Sequence, residues 1–503
     1  MCGRGATGRR HGVESAPEAC LQDDDAQRTA PSPPASHSSG GEGSGDQGRS
    51  YRMGAPSATA LVAGSMLGIG IFIAPPVVAT HLDRPGGFLL MWLAGGLSAL
   101  FGALAIAELG AMLPRAGGDY PYLRRAYGPG FAFAAGWLQL LAIFPGSLAT
   151  MAVGTASFQF PLVLGDLFDL PVRMGIPLAP ETVWAVAVVL GLTALNHVGV
   201  VISGRVQVVL TGIPVVILVV ASVVVLATRG LDGGAWAAAS GRMVVPPVSA
   251  LALAFLPVYF AYSGWNAAIY VGGEIRDPGR NLPRALVGGT LGVTLLYLLL
   301  CVGFLAVFKM TDLANTGEAG TAAARALFGG LGEFVVTTLI VLAMLGSING
   351  SVLTGSRVAF AMARGGHCIR QAGHLHPTYR SPVVALWLQA GWSLVLISTQ
   401  HFEQLMNYTS AAMLITGSLT VLSVMVLRRK MPDLPRPYRT WGYPVTPLLY
   451  AGSSLVVLVI LAWDLDPSVF LGIGWFALAL VVHRYVLHGR ERAGDDHDDD
   501  HET

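Results

Sequence analysis

The chain has 503 residues, enough for several soluble domains, yet only 61 of them are charged, 12 % against roughly 25 % in ordinary globular proteins. Thirteen of those charges stand in residues 1–52 and nine in residues 488–503, which leaves 39 for residues 53–487. A set of soluble domains is excluded on that count, and a net charge of +1 offers nothing to attract a nucleic acid.

Residues 1–52 are rich in Gly, Ser, Pro and Asp and lack the apolar run of a cleaved secretory signal, so a disordered cytoplasmic tail is expected there. Apolar segments then follow at approximately 57–80, 86–112, 130–158, 182–200, 204–228, 248–273, 285–308, 332–357, 382–399, 404–427, 446–463 and 468–487. Most approach the ~20 residues that a helix needs to cross about 30 Å of hydrocarbon. Continuous apolarity also excludes a membrane β-barrel, whose strands alternate polar with apolar. The expectation is an all-α integral membrane protein of about twelve spans in a domain over 53–487.

Basic residues in the connections alternate in step with those twelve crossings. Seventeen, from Arg115, Arg124 and Arg125 through Arg276, Arg357 and Arg428 to Arg484, fall on one side, and six, such as Arg84, Arg173 and Lys309, on the other. The positive-inside rule places the first set and both termini in the cytoplasm.

Two spans carry interior glycine. The first reads GSMLGIGIF over Gly64–Phe72, followed by Pro75 and Pro76, and the sixth reads FAYSGWN over Phe260–Asn266, after Pro257. Glycine and proline at these places predict broken helices, and a separation of five spans predicts two five-helix repeats of opposite orientation, 57–228 and 248–427, with two further helices over 446–487. A break at membrane depth leaves backbone groups that only protein or a water-filled cavity can satisfy. One half-helix offers free N–H groups and partial positive charge, the other free carbonyls and partial negative charge, a combination suited to a zwitterion. Close helix packing is the competing use of such glycines.

The chain ends in an acidic, His-containing tail over 488–503 with no fixed metal-ligand geometry. Four cysteines, Cys2, Cys20, Cys301 and Cys368, form neither a disulfide framework nor a zinc motif. No nucleophile elbow, P-loop or carboxylate pair at membrane depth is present, so neither an enzyme nor a cofactor is expected.

These motifs resemble the amino acid-polyamine-organocation superfamily, and within it the L-type amino-acid transporter group. The resemblance covers most of 57–445 and rests on GSMLGIGIF, on AELGAMLPRAGGDYPYLRRAYGP over Ala107–Pro129, and on FAYSGWNAAIYVGGEIRDPGRNLPRAL over Phe260–Leu286. GSINGSVLTGSR over Gly346–Arg357 and RPYRTWGYPVTP over Arg436–Pro447 add to it. It implies a leucine-transporter-type fold with alternating access and substrate between spans one, three, six, eight and ten. By analogy the backbone of Gly68, Ile69 and Gly70 takes a carboxylate, and the carbonyls of Met66, Phe260 and Ser263, beside Gly264, take an amino group. Trp265 is expected to line the cavity, and Asn349 either to bind substrate or to hold helices together. Tyr262 is a candidate aromatic contact or gate, and Glu108, Glu274 and Arg357 are candidates for an inner gate.

Three departures accompany the resemblance. Ile69 stands where many relatives have Ser, and Pro214 stands where many have a Lys that replaces a sodium ion, which leaves ion coupling open. The connection around 160–181 has no Cys, so a disulfide-linked heavy chain is not expected. No Asp, Glu, Lys or Arg lies in the middle of a predicted span, which favours neutral amino acids. The expected function is amino-acid transport across the plasma membrane, by exchange or proton symport. Amine or polyamine transport on the same fold, and a non-transporting amino-acid receptor, are the alternatives.

Overall fold

The structure is a computed structural model and describes residues 53–115, 117–230, 246–398, 402–463 and 467–487. The expectations for both tails, including Cys2 and Cys20, lie outside the described residues.

Among the described residues, twelve apolar segments appear in the expected order. The first is split into α1 (Ala55–Met66) and α2 (Gly70–His81); α3 (Pro85–Met112) follows, and a short helix, α4 (Asp119–Tyr127), leads to the third span, α5 (Pro129–Leu167). Next come α6 (Pro180–His197), α7 (Val200–Arg229), and a sixth span made of α8 (Val248–Ala261) and the single turn α9 (Ala267–Tyr270). The remainder are α10 (Pro278–Val307), α11 (Ala319–Arg364), α12 (Val383–Ile397), α13 (Phe402–Lys430), α14 (Val445–Trp463) and α15 (Pro467–Val482). Among the described residues, eight spans have the length and apolarity to cross a bilayer outright, counting α1 with α2; α8, α12 and the last helix are shorter apolar ones, and the 18-residue α6 is the twelfth segment. α11 begins before its span and bends at Gly329, whose φ is +67°.

Burial separates inner helices from outer ones. The most apolar stretch of α1–α2 is 78 % buried and that of α7 only 28 %, so α7 turns Val209, Val216, Val220 and Val223 outward, as a lipid-facing helix must. α3 and α10 pack side by side at the centre, with α1 against α10 and α2 against α8. Small residues permit this closeness: a Cβ at Gly102 of α3 would lie 2.6 Å from the Trp265 ring.

The two broken helices are tied together beyond their breaks. Met53, just before α1, donates its N–H to the Glu274 carbonyl at 2.7 Å and accepts from Arg276 N–H at 3.0 Å, a single parallel bridge between segments more than two hundred residues apart in sequence.

Candidate functional site

The first span breaks over Leu67–Ile69, as the glycines predict, whereas Pro75 and Pro76 lie within α2 and do not interrupt it. The sixth span breaks over Tyr262–Asn266, where Gly264 takes φ +93°. The breaks interlock: a Cβ at Gly264 would sit 2.7 Å from the Ser65 carbonyl oxygen, and one at Gly70 would sit 2.5 Å from the Ala261 Cα. Only glycine allows both approaches, so packing and helix breaking are here one device.

A cavity, partly open to solvent, lies against these breaks. Its walls come from α1–α2, α5, α8–α9, α11 and α13, the five spans that the resemblance implies, with Tyr450 of α14 and Asp119 of α4 in addition. Of the expected binding residues, Met66, Gly68, Ile69, Gly70, Phe260, Ser263, Gly264 and Trp265 all line it.

Hydrogen bonding sorts the backbone groups further. Gly68 N–H turns back to the Met66 carbonyl at 2.8 Å, so the amides left without a helical acceptor are those of the first turn of α2, from Ile69 through Ile71. The Met66 carbonyl also accepts from the Tyr297 hydroxyl at 2.6 Å, which occupies both of its lone pairs and removes it from the expected amino-group acceptors. The Phe260 carbonyl accepts from Ser263 N–H at 3.0 Å. Ser347 of α11 donates its hydroxyl to the Ser65 carbonyl at 3.1 Å and closes that side. Trp265, nearly buried, meets the Tyr450 ring edge-on at 5.4 Å.

Two expected residues lie elsewhere. Asn349 does not line the cavity; it is fully buried among α6, α7 and α11, accepts from Asn196 at 2.8 Å and donates to Gln207 at 2.7 Å. It is placed to hold helices together. Tyr262 also faces away, packed against Trp92 and Tyr297 with ring centroids at 6.0 and 5.0 Å. The carboxylates separate too. Arg357 pairs bidentately with Glu274 at 3.0 and 3.2 Å, joining α11 to the segment after α9. Glu108 instead binds Arg428 at 2.9 and 2.6 Å and Thr440 at 2.7 Å, anchoring α3 to α13 and the loop before α14.

Asp119 was not among the expected residues. Gly117 and Gly118, both at positive φ, turn the chain so that this residue of α4, only 2 % exposed, reaches the cavity wall. Its Oδ2 accepts from Gln139 at 2.6 Å and from the Tyr270 hydroxyl at 2.9 Å. Gln139 opens a π turn, Gln139–Ile143, inside α5, a distortion that re-aims side chains at functional sites. Burial pushes the Asp119 carboxyl up to about 6, against the hydrogen bonds, which favour its charged form.

The family model described as amino acid permease matches residues 53–482. The chain belongs to the amino acid permease family. It is 30 % identical to the serine/threonine exchanger SteT of Bacillus subtilis over 82 % of this chain and 91 % of that protein. It is 29 % identical to the human large neutral amino acids transporter small subunit 2, over 89 % of this chain and 82 % of that protein. With the Asc-type amino acid transporter 1 of Mus musculus it shares 30 % identity over 86 % of this chain and 83 % of that protein. This permease is therefore a multi-pass membrane transporter of amino acids, close to the L-type group, and not an enzyme.

Proposed function

We propose that this permease exchanges neutral amino acids across the plasma membrane by alternating access, with both termini in the cytoplasm. The observation that carries the reading is the pair of interlocked breaks on one cavity wall, one offering unbonded amides and the other carbonyl acceptors. The amides of Ile69, Gly70 and Ile71 receive the substrate carboxylate. The carbonyls of Phe260 and Ser263 receive the ammonium group, and Trp265, Phe144 and Met151 surround the side chain. A substrate without a carboxylate would leave the α2 amides unmatched, which favours amino acids over amines. The names of the relatives, a serine/threonine exchanger and a large neutral amino acid transporter, support neutral substrates and exchange.

The Glu274–Arg357 pair closes the cavity at the arginine-rich end, which the positive-inside rule makes cytoplasmic. The repeats are 57–228 and 248–427, and no disulfide-linked heavy chain is required, since the connection around 160–181 has no Cys. The test is uptake of a labelled panel of amino acids and amines by reconstituted liposomes, empty or preloaded with unlabelled amino acids. Uptake of neutral amino acids only into preloaded vesicles is expected. Signal from amines alone would replace the substrate class.

A further inference from the structure

We propose that Asp119 is a proton-binding site of the transport cycle: with the Glu274–Arg357 pair made, its buried surroundings favour the protonated carboxyl over the charged one, and the proton leaves to water when that end opens. The inference rests on the transport reading above and adds to it a titrating group and the ion that it carries.

The geometry is that of a carboxyl without a counter-ion. Asp119 is 2 % exposed, and its Oδ1 has no hydrogen-bond partner among the described residues. Each group that acts on it is neutral: Gln139 from α5, Tyr270 from α9, and Thr420 from α13, whose hydroxyl already donates to the Thr416 carbonyl at 2.9 Å. Other tyrosines that feel its charge are Tyr122 of α4, Tyr259 of α8 and Tyr450 of α14, and His367 bonds the hydroxyl of the adjacent Tyr120 at 2.8 Å. The cations of the neighbouring helices are engaged elsewhere. Arg357 of α11 binds Glu274, Arg428 of α13 binds Glu108, Lys430 donates to the Ala126 carbonyl, and Arg364 lies over Phe360; Arg124 on α4 is not among the groups acting on Asp119.

An unpaired carboxylate in such a place is costly, and a proton on Oδ1 removes the charge. The position of the group makes this a transport event rather than a property of a static core. Tyr270, which donates to Asp119, belongs to the broken sixth span, and Gly117 N–H in turn donates to the Tyr270 carbonyl at 3.1 Å. Four residues on, Glu274 makes the closing pair with Arg357. Opening that end admits water to Asp119, and the proton passes from Oδ1 to that water. Reclosure requires one to return, through the cavity, from whichever side it then faces.

The experiment is amino-acid exchange in reconstituted liposomes with the same pH on both sides, stepped from about 5 to about 8. Wild-type exchange is expected to fall about tenfold per pH unit above its midpoint, as the protonated fraction does. Asp119→Asn, neutral at all these values, is expected to give a flat profile. A wild-type profile without pH dependence, or an unchanged dependence in Asp119→Asn, overturns the proposal, while exchange at a single pH tests the transport reading separately. Should Asp119→Asn fail to transport, substrate-induced thermal stabilisation of the purified protein over the same range decides: a flat response supports the assignment and a wild-type response overturns it.

Discussion

At the scale of single residues, the glycines of the breaks differ in what they tolerate. A Cβ at Gly70 would meet the Ala261 backbone at 2.5 Å, whereas one at Gly68 would meet the Ser347 Oγ at 3.1 Å, a side-chain end that can shift. Gly70→Ala is therefore expected to cost about 1–3 kcal/mol of overpacking and most of the uptake, and Gly68→Ala much less of either. Thermal unfolding and initial uptake rates would check both; equal effects would mean that the interlock is not what fixes the breaks. Asp119 carries the second prediction. Its folded value of about 6 exceeds the ordinary 3.8, so the native state binds the proton more tightly than the unfolded chain does. Its contribution is most favourable below pH ~4 and is lost as pH rises through ~6, at a cost of about 3 kcal/mol at neutral pH. Asp119→Asn should then unfold at higher temperature than wild type at neutral pH and show little difference at acid pH. The backbone residues of the site were legible because glycine within an apolar run has few uses. Asp119 was not, because a carboxylate in a connection reads as solvated until two positive-φ glycines are seen to turn it inward.

At the scale of elements, the Glu274–Arg357 pair fastens the end of the sixth span to α11. Arg357 is 1 % exposed and Glu274 24 %, so breaking the pair sits at the lower end of the range for buried ion pairs, about 3 kcal/mol. Arg357→Gln is expected to open the end proposed as cytoplasmic more often. With Ser351→Cys on the cavity wall in a background lacking the native cysteines, a membrane-impermeant thiol reagent applied from the cytoplasmic side should label faster in Arg357→Gln; unchanged labelling would make the pair a mere anchor. Glu108, which looked like a member of the same gate, is that kind of anchor, bound by Arg428 and Thr440. Apolar runs made the helices and their order legible, eight of them long enough to cross a bilayer outright among the described residues. The π turn Gln139–Ile143 of α5 and the inward face of Asn349 were not, since both depend on which helices come together, and a polar residue in a span looks the same whether it faces substrate or a neighbouring amide.

At the scale of the whole molecule, the cavity itself argues for exchange. Alternating access requires the cavity to close before it reopens on the other side. Closing it empty strands the amides of Ile69–Ile71 and the carbonyls of Phe260 and Ser263 away from bulk water. Each buried, unmatched polar group costs about 1–3 kcal/mol. A zwitterion satisfies both sets at once, so the loaded carrier closes without that cost. If water trapped in the cavity leaves two such groups poorly matched, the empty carrier meets a barrier about 3 kcal/mol higher, a factor of about a hundred in rate. Efflux of labelled amino acid from liposomes should therefore be about a hundredfold faster into a solution of unlabelled amino acid than into buffer alone. Equal rates would mean that water serves these groups as well as substrate does, and the permease would then be a carrier that returns empty.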